Sequence, residues 1–152
     1  MMFSLFLLTF AVGVNKQTLP SVFDDCKVQV FTSTQNQQDT GFQKIENGAG
    51  YVYFCNSQTK DSLLSLLVGV QGITYIIEGD FSDYVSIKKE LDISCVESSQ
   101  FACLGFSKSF DKSAFYDGKK VNVQMCYANQ KIYVGTPLIL GSYWNLLFLC
   151  IT

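Results

Sequence analysis

The stretch Glu78-Gly79-Asp80-Phe81-Ser82-Asp83 gathers three carboxylates around one phenylalanine, directly after the apolar run Ile73 to Ile77. Carboxylate and carbonyl oxygens brought together by a turn suit a hard cation. Calcium is therefore the one cofactor for which the chain offers ligands, at Glu78, Asp80 and Asp83. The stretch lacks the alternating ligand positions and twelfth-position glutamate of an EF-hand loop. The simpler expectation is a solvated hairpin tip. Two of Glu78, Asp80, Asp83 and Asp111 would alternatively serve a carboxylate-based secreted hydrolase, which requires them to converge across a cleft at roughly 5–10 Å.

Other motifs carry less. Ser57 to Lys60 and Ser86 to Lys89 both match Ser-x-x-Lys, but neither has the partner motifs of serine acyl-transfer enzymes, and so short a pattern recurs by chance. Gly48-x-Gly50 lacks the third glycine and following helix of a dinucleotide site. No Asn-x-Ser/Thr acceptor for N-glycosylation occurs.

Absences exclude more than motifs suggest. The chain has no histidine, and its eleven basic residues are all lysines against thirteen acids, for a net charge of −2. Serine-histidine and cysteine-histidine catalysis, histidine-ligated zinc and bidentate guanidinium contacts are thereby removed. Nucleic acid is excluded as a partner, because phosphate neutralisation by clustered cations supplies most of that affinity. Lysine, tyrosine and carboxylate chemistry survive these exclusions, so "no enzyme" is an expectation built from negatives.

The compartment follows from the N-terminus and the cysteines. Residues 1–13 read as a signal peptide: an uncharged apolar run with small residues at Ala11 and Gly13 before the first lysine, Lys16. About twelve apolar residues fall short of the roughly twenty needed to cross a bilayer. Residues 14–25 form a polar N-terminal segment containing Pro20. Cys26, Cys55, Cys95, Cys103, Cys126 and Cys150 make an even set in an oxidising compartment, which predicts disulfides without choosing their connectivity. No Cys-x-x-Cys supports zinc or thioredoxin-like redox chemistry.

The elements that would position these residues are mostly strands. "CKVQVF" alternates, Val28 and Val30 on one face against Lys27 and Gln29 on the other. Asn47-Gly48 suits a hairpin turn, after which Tyr51, Tyr53 and Cys55 share a face opposite Val52 and Phe54. "DSLLSLLVGV" fits a helical turn or a buried strand, and Gly69 and Gly72 favour the strand. "ITYIIE" is a β-branched and aromatic strand. "SIKKELDISC" is the one segment with a plausible helical turn. Asp117-Gly118 and Ala128-Asn129 mark turns in three consecutive antiparallel strands.

Residues 132–152 carry no charge. Gly135, Pro137, Gly141, Ser142 and Asn145 interrupt them, so two core strands are preferred to a membrane tail. Of the polar-tipped rings, Tyr51, Tyr53, Tyr75, Tyr84, Tyr116, Tyr127, Tyr133, Tyr143 and Trp144, some belong to cross-strand pairs and some to a contact surface.

The segment from Lys27 to Cys95 resembles the two Greek-key motifs of the βγ-crystallin family. Lys60-Asp61-Ser62-Leu63-Leu64-Ser65-Leu66-Leu67-Val68 stands where that family has a polar segment leading into an apolar strand, and Phe81-Ser82-Asp83 stands at its second turn. The family's turn glycine is Asp83 here, its strand-end aromatic falls on Ile76 or Ile77, and its calcium-assisting hydroxyl residue is Leu64. The resemblance implies a β-sandwich and a degenerate calcium site.

The sequence thus predicts one all-β domain over residues 26–152, an antiparallel Greek-key β-sandwich stabilised by disulfides. It predicts a secreted, non-catalytic protein acting by binding or structural assembly, with an extracellular protein or glycan partner. The alternatives are an immunoglobulin-like effector contacting a host or partner protein, the carboxylate hydrolase, and an ectodomain tethered by residues 132–152. Trp144, between Cys126 and Cys150, is poorly spaced for an immunoglobulin core.

Overall fold

The computed structural model describes residues 18–34, 39–47 and 50–139. The signal-peptide expectation, Cys150, Tyr143, Trp144 and most of the uncharged C-terminal stretch lie outside them. No helix among the described residues is long and apolar enough to cross a membrane.

Among the described residues ten strands form: β1 Lys27–Thr32, β2 Lys44–Asn47, β3 Gly50–Asn56, β4 Val70–Glu78, β5 Ser94–Ser98, β6 Ala102–Phe106, β7 Ala114–Tyr116, β8 Lys119–Val121, β9 Val123–Ala128 and β10 Lys131–Thr136. Eight make one sheet in the order β2-β3-β1-β4-β10-β9-β6-β5, and β7 pairs with β8 in a second, two-stranded sheet. Every pairing is antiparallel. The predicted architecture is met in its coarser form, a mostly β chain with antiparallel pairing. The predicted disulfides are not formed among the described residues: no bond joins any two of Cys26, Cys55, Cys95, Cys103 and Cys126.

Two helices accompany the sheet, α1 Lys60–Leu66 and α2 Phe81–Glu90. The first corrects the strand preferred for "DSLLSLLVGV". Leu63 and Leu67, one helical turn apart, are both buried, and Gly69, at φ +74°, turns the chain out of the helix toward β4. Residues 60–66, which the crystallin resemblance places before and within an apolar strand, are thus helical.

Strand alternation sorts the core. Val28, Val30, Tyr53, Tyr75, Ile77, Cys103, Val123, Met125, Ile132 and Val134 point to one face, where they pack with Phe23, Leu63, Tyr84, Ile87 and Leu91 from the helical segments. On the opposite face Ile76, Ala102, Cys126 and Tyr133 cluster with Ile139. Residues 137–139, just after β10, fold back across this second face. A Cβ on Gly135 would stand 2.3 Å from the Ile139 nitrogen, and that nitrogen donates to Gln124 Oε1 at 3.0 Å.

Both predicted C-terminal hairpins form, with Asp117 and Gly118 at φ 47° and 72° and Asn129 and Gln130 at 52° and 58°. The three strands expected to be consecutive in one sheet divide at Asn122. Its carboxamide is fully buried, donating to the carbonyls of Ser107 (2.7 Å) and Phe110 (2.8 Å) and accepting from Ser107 N (2.8 Å). Ser107 Oγ in turn donates to the Leu91 carbonyl just after α2, at 2.6 Å.

Replacing Asn122 by Ala is expected to cost about 1–3 kcal/mol for each buried partner left unmet. Gly135→Ala, which forces the backbone of Leu138 and Ile139 off the sheet, is expected to cost about 1–3 kcal/mol. Urea denaturation of each variant measures both.

Candidate functional site

The acidic stretch does not form a hairpin tip. Asp80 is the N-cap of α2 and Asp83 its third residue, and the two form a reciprocal capping box. Asp80 Oδ1 accepts from Asp83 N at 3.0 Å and Ser82 Oγ at 2.7 Å, while Asp83 Oδ2 accepts from Asp80 N at 2.8 Å. The Ser82 hydroxyl first, and the Asp83 amide second, hold the Asp80 carboxyl below the usual carboxylate range. Glu78 is exposed at the end of β4, and Asp111 is exposed between β6 and β7. No group of three or more metal-ligating residues is drawn together among the described residues.

What the cap does position is Phe81, the first residue of α2. Its ring stacks on Tyr84 at 5.8 Å and meets Phe101 and Tyr127 edge-on at 5.5 and 5.8 Å. Phe101 comes from the β5–β6 turn and Tyr127 from β9, tied together by the Tyr127 amide donating to the Phe101 carbonyl at 2.8 Å. Three elements thus converge on one ring cluster whose geometry follows the edge-to-face preference of aromatic quadrupoles. Tyr84 forms its buried floor, whereas Phe81 is 37% exposed, Phe101 40% and Val85, one turn further along α2, 49%.

The tyrosines divide as the sequence left open. Tyr53, Tyr75, Tyr84 and Tyr133 are buried, Tyr51 and Tyr127 half-buried, and Tyr116 exposed beside Phe115 on the β7–β8 hairpin. Phe101 was not singled out by sequence. The available signal was an apolar ring in the polar turn Ser98-Ser99-Gln100-Phe101.

A second cluster lies beside Tyr75 of β4, at the start of β1 and the end of β3. Ser57 and Lys60 line one surface cleft with Leu19, Phe23, Asp24 and Tyr75. Ser57 Oγ donates to the Phe23 carbonyl at 2.6 Å and accepts from Cys26 N at 3.2 Å, and Lys60 Nζ donates to the Tyr75 hydroxyl at 3.2 Å. Burial opposes the charge on Lys60, but Tyr75 and Asp61 outweigh it and hold the amine above the ordinary lysine value. The Ser57-x-x-Lys60 match is therefore a fastening between the N-terminal 3-10 turn Ser21–Asp24, β3 and β4. Ser86 and Lys89, the other match, are exposed on α2.

The thiols are buried to different degrees. Burial raises the pKa of Cys26, just before β1, and of Cys55 on the neighbouring β3. Cys103, on the helix side of the sheet beside Tyr84, is pushed up to about 11 by burial and the neighbouring Cys95. Cys126 is buried on the opposite face. Such environments make poor resting nucleophiles.

Compared with known proteins, the chain matches no family model, no curated protein and no solved structure.

The capping box sets a pH dependence. The folded Asp80 carboxyl titrates below its ordinary value of 3.8, so its contribution is complete above that value and is lost as pH falls through the lowered folded one. Asp80→Ala is expected to lower the thermal midpoint at pH 7 by a few degrees, on the order of one lost helix cap. The difference from wild type should shrink as the pH falls below 3.8. Circular dichroism melts across that range test it.

Proposed function

We propose that this chain is a secreted, non-catalytic binding protein that engages an extracellular protein through Phe81, Val85 and Phe101. The observation that carries the reading is the aromatic cluster. Two phenylalanine rings stand more than a third exposed, each in contact with rings anchored on a different element. Exposing them to water is unfavourable, and adjoining apolar residues on a rigid base are what a partner's anchor side chain packs against. Glu78, Asp80 and Asp83 are exposed beside them. That rim favours a partner with lysine or arginine around an apolar centre, because charge complementarity at the periphery steers encounter.

The capping box supports binding over hydrolysis. Asp80 and Asp83 direct their oxygens into backbone amides of their own helix turn, which fixes the helix end that presents Phe81. A glycan could use the same rings for stacking, and the test separates the two partner classes.

Purified ectodomains and a panel of neutral and acidic oligosaccharides are presented to the wild-type chain and to the Phe81→Ala/Phe101→Ala variant in biolayer interferometry. The expected result is an ectodomain bound by wild type and weakened at least about tenfold in the variant, with association slowed by added salt. Binding confined to oligosaccharides replaces the protein partner with a glycan. Ectodomain binding that survives in a folded double variant removes the aromatic cluster from the function.

A further inference from the structure

We infer that Cys95 and Cys103 form a redox-active dithiol that closes to a disulfide by exchange with a low-molecular-weight disulfide, Cys95 reacting first. The pairing stands on strand register and is independent of the aromatic surface. In the β5–β6 pair, Cys95 lies opposite Gly105 and Cys103 opposite Ser98, with an irregularity in register between Cys95 and Glu97. Gly105 and Cys103 are two residues apart on β6 and so share a face. Cys95, opposite Gly105, joins them there. The two thiols are thus diagonal neighbours on adjacent strands, close enough that Cys95 helps to hold the Cys103 thiol protonated.

Accessibility sets the order of events. Cys95 is exposed on the edge strand, whereas Cys103 is 2% exposed beneath Tyr84. The Cys95 thiolate attacks one sulfur of an incoming disulfide such as oxidised glutathione, forming a mixed disulfide and expelling one thiolate. Cys103 then attacks the Cys95 sulfur. Its sulfur–sulfur bond replaces the mixed one, its proton passes to the departing thiolate, and the second small thiol leaves. Two protein thiols are oxidised and one small disulfide is reduced to two thiols, so electrons and protons balance.

No other described cysteine is offered to Cys95 in this way. Cys26, just before β1, and Cys55, on β3, sit across the sheet, and Cys126 clusters on the opposite face with Ile76 and Tyr133. Closing the pair would join β5, which among the described strands is bonded only to β6, covalently to its neighbour.

The test is a peptide map of the full folded chain, reduced, exposed to oxidised glutathione, quenched in acid and alkylated. The expected product is one peptide pair linked through Cys95 and Cys103. Cys103→Ser should leave Cys95 as its glutathione mixed disulfide, and Cys95→Ser should slow loss of the Cys103 thiol by at least about tenfold, because the accessible partner is gone. The inference is overturned if wild type links either residue to a different cysteine, if both stay alkylatable under conditions that oxidise dithiothreitol, or if Cys95→Ser oxidises Cys103 at the wild-type rate. The wild-type map decides the pairing even where a variant fails to fold.

Discussion

The carboxamide of Asn122 is the fixed point to which the helix side of this fold is referred. It is fully buried and satisfies two carbonyls and one amide of the 107–110 segment, while its own backbone amide donates to Gly105. Apolar packing at this position would stabilise without direction, whereas hydrogen bonds have preferred distances and angles and so fix a register. Through Ser107 the constraint reaches the Leu91 carbonyl and the C-terminal end of α2. The capping box fixes the other end. A helix held at both ends presents Phe81 at one place over Phe101 and Tyr127, and the surface proposed for binding depends on that.

How much of this was legible differs by element, for physical reasons. The hairpin at Asp117-Gly118, and the second one residue beyond the expected Ala128-Asn129, were readable because positive φ angles, here at Asp117, Gly118 and Asn129, are tolerated by few residue types. The alternation of Val28 and Val30 against Gln29, and of Tyr51 and Tyr53 against Val52, was readable because a strand has a period of two. α1 was not, since a seven-residue helix shows less than two full periods and its Leu63-Leu64 and Leu66-Leu67 pairs also fit a buried strand. Gly69, counted as evidence of strand, instead ends the helix.

The hairpin tip expected at the acids gave way to a helix cap for a related reason. Asp80 and Asp83 three residues apart are equally a cation loop or a helix start, and the helical segment was expected only from Ser86 onward. Once α2 begins at Phe81, the same spacing is the signature of a cap. Asn122 stands between Val121 and Val123, so the local pattern there is that of an alternating strand. Its partners, Ser107 and Phe110, lie 15 and 12 residues away, beyond the reach of any local pattern. The aromatic cluster is hidden likewise, since Phe81, Phe101 and Tyr127 meet only when β6 and β9 pair.

The two outer strands of the large sheet bear on how copies of this chain meet each other. An unpaired strand edge is a template for another chain's backbone. At one side the edge is β2, only four residues long and carrying Lys44 and Glu46. At the other it is β5, with its broken register and Glu97. Short length, charge and a local kink each interfere with continuous ladder bonding. Growth of this sheet from molecule to molecule is disfavoured at both margins, which leaves encounters between its edges to side chains instead of backbone ladders.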